Sequence, residues 1–221
     1  MDHNYKSSSQ KPIIILGSGR HAKLLINILK NTKYKILGLT DPHRSIEENF
    51  EDIKILGNDE VIFNYDTNEV ELVNGIGELA LRNVYYNLNK KFRNKGYTFA
   101  KIIHPSAIIE NKVEIGDGSQ IMSGAIIQQG VKIGSSCIIN TGTTIDHECI
   151  ISDYCHLAPG VTLSGDVVVG ERTHIGTGTS VIDKIKIGKN CIIGAGSIIY
   201  KDIQPNTKFI QLRKEHLEEI K

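Results

Sequence analysis

The residues with the clearest chemical potential are Asp146-His147-Glu148 and, nine positions beyond His147, His156. A histidine beside a carboxylate has the pKa range and orientation to take a proton from a nucleophile. A second histidine can donate to an oxyanion developing on a carbonyl. A lone histidine on a flat surface is more often only a surface residue, so the surroundings must decide. Those surroundings form a strict repeat of six. In Thr143-Thr144-Ile145-Asp146-His147-Glu148-Cys149 the repeat requires only Thr143, Ile145 and Cys149. His147 and Glu148 are free choices at a corner, and His156, which precedes the inward Leu157, is expected to face outward.

The repeat runs from Ala107 to Asp202, with an aliphatic residue at every sixth position from Ile109 to Ile199. Two residues before each sits a small or compact one. Strand side chains alternate, so both sets point inward, and the pattern is that of a hexapeptide-repeat parallel β-helix. Sixteen hexads at three per coil make a little over five coils. All four cysteines (Cys137, Cys149, Cys155, Cys191) occupy the compact inward slot, where they serve as small buried hydrophobes.

Residues 18 apart stack on one corner. His147, Gly165, Asp183 and Lys201 share one corner, and Pro159, Thr177 and Ala195 share another. One subunit's face is flat, so a cleft needs a neighbouring subunit, and solenoids of this kind close into three-fold rings. The Gly165 corner of one copy and the Thr177/Ala195 edge of the next would then flank a groove. Small residues there let a thin extended ligand touch backbone, with Lys201 at its far end to meet anionic groups.

Ahead of the repeat, Pro12-Ile13-Ile14-Ile15-Leu16 reads as a buried parallel strand. It runs into Gly17-Ser18-Gly19-Arg20-His21-Ala22 and a helical pattern through Leu29. Strand, glycine turn and helix open a nucleotide-binding βαβ unit, although the third glycine of the dinucleotide fingerprint is absent. A plain strand-to-helix turn is the alternative. Lys35 to Thr40 is a second strand, with Asp41-Pro42 at its carboxyl end, where an acidic group meets a ribose or base. Further strands are expected at Ile53–Leu56, Val70–Val73 and Tyr97–Ile103, and helices from about Asp59 and over Glu78–Lys95. The expected organisation is a disordered lead (1–11), a Rossmann-like domain (12–104), a β-helix (105–204) and a tail with a short helix over Leu212–Ile220 (205–221).

The net charge of +1 over 221 residues gives no basic footprint for nucleic acid. No apolar run approaches a membrane span, and Met1 to Gln10 lacks a signal-peptide core. A cytoplasmic protein is expected.

Taken together, these motifs resemble those of the bacterial sugar acetyltransferases of the hexapeptide superfamily that carry an N-terminal Rossmann-like domain. These are the nucleotide-amino-sugar N-acetyltransferases of bacillosamine and perosamine type and the related sialic acid O-acetyltransferases. The matching segments are Gly17–Lys23, Asp41-Pro42, Gly77–Arg82, His104–Ala107, Asp146–Glu148 and His156–Gly160. The resemblance implies that the β-helix is left-handed and the assembly a homotrimer with active sites between subunits. It also implies acetyl-CoA as co-substrate and no metal. His147 matches the general base that deprotonates the sugar amine, Glu148 its partner, and His156 the histidine beside the thioester carbonyl. Gly17, Gly19, Arg20, His21, Asp41 and Pro42 fall where the nucleotide sugar is held. His156, Gly165, Thr177, Ala195 and Lys201 fall along the expected path of coenzyme A.

Two departures stand out. Arg20 replaces the family's second loop glycine, and Phe209-Ile210-Gln211-Leu212 replaces its Gly-Asn-Pro near the end. The expected activity is acetyl transfer to the amine of a nucleotide-linked sugar, a 4-amino-4,6-dideoxy sugar by resemblance. Sugar O-acetylation, a γ-carbonic-anhydrase-like metal enzyme using His147, His156 and His174, and a non-catalytic sugar-nucleotide binder stay open.

Overall fold

The computed structural model describes residues 11–32, 34–77 and 83–211. The first four elements are β1 (Ile13–Leu16), α1 (Arg20–Lys30), β2 (Ile36–Thr40) and β3 (Asn49–Phe50). They are followed by β4 (Ile53–Gly57), a 3₁₀ turn at Asp59–Asn64, β5 (Glu71–Asn74) and α2 (Val84–Arg93). The strand order is β3-β4-β2-β1-β5, parallel except for β3 against β4. All four β1 side chains are fully buried, because helices cover both faces of the sheet. Ile13 and Ile15 pack with Leu25 and Leu29 of α1, while Ile14 and Leu16 pack with Phe92 of α2. This double burial is why β1 reads as an unbroken apolar run.

Three sequence expectations change here. The helix expected from Asp59 is a short 3₁₀ element whose N-terminus is capped by the Asn58 side chain accepting from the Glu60 amide. Tyr97–Ile103 is not one strand. Phe99 makes a single bridge to Leu72 of β5, and Ile102–Ile103 instead pairs with Gln120–Ile121 of the solenoid. The segment thus hands the chain from one sheet to the other. The helix expected over Glu78–Lys95 is seen as α2, and positions 78–82 lie outside the described residues, as do residues 1–10 of the lead expected at 1–11 and the C-terminal helix. In addition, β3 and β4 form an unforeseen hairpin through Glu51-Asp52, both with positive φ, the backbone of a tight two-residue turn.

The rest of the chain is a left-handed parallel β-helix with three faces. Seven two-residue strands from Ile102–Ile103 to Lys208–Phe209 form one face, called here the docking face. Six from Ile108–Ile109 to Ile198–Ile199 form the second, and five from Glu114–Ile115 to Lys186–Ile187 the third. Every sixth residue from Ile109 to Ile199 is buried, as the repeat requires.

The compact inward slot has a second reason to hold Ser, Thr or Cys. Most of these side chains donate to a corner carbonyl of the next coil: Ser119 to Gly134 O at 2.7 Å, Thr173 to Gly188 O at 2.7 Å, Cys149 to Ser164 O at 3.1 Å; Ser197 instead donates back to Gly194 O at 2.7 Å. Where the slot holds Ser, Thr or Cys, a corner carbonyl thereby gains a partner within the protein. Burial leaves the four cysteines as free thiols. At the corners, every sixth residue from Lys112 to Gly196 has positive φ. Glycine fills seven of these positions at no steric cost; the others carry a side chain despite it.

The coil also outlasts its sequence pattern. Ile203 bridges Ile187 and Lys208–Phe209 pairs with Ile192–Ile193, 16 rather than 18 residues away. The Asp202 carboxylate accepts a hydrogen bond from the Lys186 amide at 2.8 Å, replacing the rung carbonyl that the shortened coil does not supply.

Candidate active site

His147 and Glu148 sit on the corner between the second and third faces, and both are exposed. Asp146 Oδ1 accepts from the His147 amide at 2.7 Å and fixes the turn. The imidazole lies flat on the next coil at Gly165. A methyl group added there would stand 2.6 Å from Cε1 and 2.7 Å from Nε2 of His147. Glu148, at φ 57°, turns the other way. Its carboxylate lies over Gly130 of the previous coil, where an added methyl would stand 2.7 Å from Cδ. The expected pairing of the His147 ring with the Glu148 carboxylate is therefore not formed: the side chains diverge along the solenoid axis, each resting on a glycine. Gly165, read from sequence as a coenzyme contact, is the seat of the His147 ring.

His156 lies elsewhere, on the docking face, two rungs beyond Gln120. It faces out of the prism as expected, but α2 and its lead-in stand beside it. Asn83, Tyr86, Tyr154 and Arg172 line a small crevice with His156 and His174. Arg172 donates to Asn83 Oδ1 at 2.8 Å and lies over the Tyr86 ring at 4.2 Å, and Tyr86 meets Tyr154 edge-on at 4.9 Å. The His156 and His174 rings are T-shaped, 4.7 Å apart, and burial lowers the His174 pKa. Asn140 Oδ1 accepts from the Thr141 amide, which leaves Nδ2 facing His156 Nε2 at 3.4 Å. In that arrangement His156 Nε2 accepts, so donation from it to a carbonyl requires a proton that it does not carry here.

Within one chain, then, the expected coenzyme residues divide into two sets. His147, Gly165 and Lys201 follow the corner after the second face. His156 is on the docking face, and Thr177 and Ala195 are exposed at the corner that ends it. His147 is likewise remote from the His156–His174 pair, and among the described residues no three His, Cys, Asp or Glu side chains cluster as metal ligands.

The nucleotide loop follows β1. Gly19 is the N-cap of α1 and has no side-chain cap, so the first amides of the helix stay open for an anion. Gly17 has φ 84°, and Arg20 and Pro42 are exposed. The Asp41 carboxylate is bound by Ser18 Oγ at 2.5 Å and by the Ser18 and His43 amides at 3.2 and 2.9 Å. Burial pushes its pKa up, but these bonds and the His43 charge outweigh it, and the net value is lowered. Arg44, unforeseen from sequence, donates to Ser18 Oγ at 2.8 Å.

His21 is drawn to the solenoid, 2.6 Å from Gln120 Oε1. Burial lowers its pKa more than this bond raises it. Gln120, Asn140, His174 and Arg172 all occupy outward slots of the repeat. Their polarity or bulk in a slot the core does not need was the only available signal.

Comparison with known proteins decides the family. Residues 12–88 match the model described as PglD N-terminal domain. Residues 112–147 and 166–201 match bacterial transferase hexapeptide repeats. A histidine-to-asparagine mutant of perosamine N-acetyltransferase from Caulobacter crescentus, solved with CoA and GDP-perosamine, is 32% identical. The match covers 90% of this chain and 93% of that one at a TM-score of 0.80. The chain belongs to the nucleotide-sugar acetyltransferase family of hexapeptide-repeat acyltransferases.

The acetyltransferase domain of PglB from Neisseria gonorrhoeae, solved with acetyl coenzyme A, shares the fold at 23% identity and a TM-score of 0.83, covering 90% of this chain and 96% of that one. WeeI from Acinetobacter baumannii does so at 21% and 0.79, covering 90% and 95%. No curated protein matches the sequence. As a member of this acetyltransferase family the protein is an acyltransferase, and among the described residues no helix is long and apolar enough to cross a membrane.

Proposed function

We propose that this acyltransferase moves the acetyl group of acetyl-CoA onto the amine of a nucleotide-linked amino sugar, a 4-amino-4,6-dideoxy sugar, for surface glycan synthesis in the cytoplasm. The neutral amine attacks the thioester carbonyl carbon. The new C–N bond forms as the C–S bond breaks, and CoA leaves as its thiolate. His147 accepts the amine proton and can return it to the thiolate. Glu148 favours the imidazolium so formed, through a swing away from Gly130. Gly17, Gly19 and the open α1 amides hold the diphosphate, while Asp41, Arg20, Pro42 and His21 border the nucleotide and sugar.

The observation carrying this reading is the His147 ring laid on bare backbone at an exposed corner, in a chain 32% identical to a perosamine N-acetyltransferase crystallised with CoA. His147 and His156 stand on different sides of one prism, which supports a homotrimer in which a neighbouring copy brings the second set to the first. Coenzyme A would then run between Gly165 and Lys201 of one copy and His156, Thr177 and Ala195 of the next. No metal enters the scheme.

The test is thiol release from acetyl-CoA against a panel of UDP-, GDP- and dTDP-linked 4-amino sugars, with wild type and His147→Ala. Release with one amino sugar, falling by at least about 10²-fold in the variant, is expected. Release only with a sialic acid would convert the proposal to O-acetylation. Transfer unchanged in His147→Ala would remove the base from the mechanism.

A further inference from the structure

Gln120 occupies an outward slot on the docking face yet is 1% exposed. Its Nε2 lies 2.8 Å from the main-chain oxygen of Asn74, at the end of β5. A carbonyl only accepts, so the Gln120 amide must be turned with its nitrogen toward Asn74 and its oxygen toward His21. That oxygen, 2.6 Å from His21 Nε2, also only accepts. The proton therefore sits on Nε2 of His21. The neutral ring must then present an unprotonated Nδ1, and no hydrogen bond among the described residues occupies that atom. His21 stands beside Gly77, where an added methyl would lie 3.5 Å from its Cβ.

We infer that Gln120 is a positioning residue that locks the tautomer of His21, and that His21 Nδ1 accepts a hydrogen bond from a hydroxyl or amine of the sugar rather than holding the diphosphate. A lone pair repels phosphate oxygens and attracts O–H and N–H donors. The diphosphate is left to the open amides at the start of α1. The side chain that sets this preference belongs to the β-helix, so the acyltransferase half reads the sugar through the nucleotide-binding half. Burial of His21 acts in the same direction by disfavouring the imidazolium.

The inference about the ligand rests on the nucleotide-sugar reading; that about the tautomer does not. Long-range ¹H–¹⁵N correlation spectra of the unliganded, histidine-labelled protein, with His21→Asn to assign the signal, should show His21 protonated at Nε2 alone. A ring protonated at Nδ1, or at both nitrogens at pH 7.5, would overturn the proposal. Gln120→Met keeps the volume and removes both bonds. Calorimetry should give UDP, GDP or dTDP affinities within about twofold of wild type, while the matching 4-amino-sugar nucleotide binds about tenfold more weakly, the scale of one hydrogen bond. Equal loss for the diphosphate and its sugar conjugate would show that His21 serves the phosphates and would refute the inference. If wild type bound none of the nucleotides, the proposed function would fail instead, and the spectra would still judge the tautomer.

Discussion

Replacing Gly165 with alanine would add a single methyl group directly beneath the His147 ring. The new carbon would stand 2.6 and 2.7 Å from Cε1 and Nε2, where carbon contacts ordinarily settle at about 3.5–4.0 Å. The ring must therefore retreat by about 1 Å. It can do so, because it is the mobile end of an exposed side chain. The backbone of Gly165 does not have the positive φ that excludes alanine, so the coil should tolerate the change and the apparent Tm should hold. A displacement of about 1 Å in a reacting group costs up to about 10²-fold in rate, or about 2.7 kcal/mol.

Steady-state thiol release should accordingly show kcat lower by 10- to 100-fold (an order-of-magnitude range) with the KM for acetyl-CoA changed by less than about threefold. The double variant with His147→Ala should be no slower than His147→Ala alone, since both act through one ring. An unchanged kcat would refute the argument. So would a loss confined to the KM for acetyl-CoA, which would make Gly165 a coenzyme contact with no part in seating the His147 ring.

Glu148 holds a side chain at a left-handed corner that costs roughly 1 kcal/mol or more. Glu148→Gly should raise the apparent Tm by a few degrees, about 2–4 °C per kcal/mol for a chain of this size, while lowering kcat; a drop in Tm would count against the strain. His21 and His174 are held neutral by burial, whereas the unfolded chain protonates them near the ordinary value of 6.5. Stability should be full above pH 6.5 and decline as pH falls toward 5, and His174→Phe should flatten that decline in pH-dependent melts. Burial pushes the Cys149 thiol up to about 11, so on the order of one in 10³ is thiolate at pH 8. Ellman's reagent should react slowly with the native protein and fully in denaturant, and rapid native labelling of Cys149 would contradict its place in the core.

Much of this architecture was legible because a solenoid imposes the same demand many times over. Ile109 through Ile199 fill a packed core that takes only Ile, Leu or Val at every sixth position, and β1 is apolar throughout because two helix layers cover it. Other features depended on neighbours remote in sequence. Glu51-Asp52 gives no glycine signal for a tight hairpin, and the final coil drops two residues and repairs the gap with Asp202, so a period of 18 overlooks it. His147 and Glu148 stood out as residues the repeat did not need, but their divergence depends on the φ of Glu148 and on the glycines above and below. Gln120 stands in an outward slot of the repeat, where its own sequence neighbourhood carries no sign of burial. Only the docked domain makes it a buried one.

Parallel rungs stand 4.7–4.9 Å apart in any β-structure, so distances along this solenoid come in whole steps. Gln120 and His156 are two rungs apart in one column, which separates the point where the nucleotide loop is pinned from His156 by roughly 10 Å. Deleting one hexad would rotate every later residue onto the next face, and deleting three would shorten the gap by a full rung. The span available to a bound sugar is therefore quantised by the backbone. Divergence toward longer or shorter acceptors should consequently occur in the loops of the first domain, where length can vary one residue at a time.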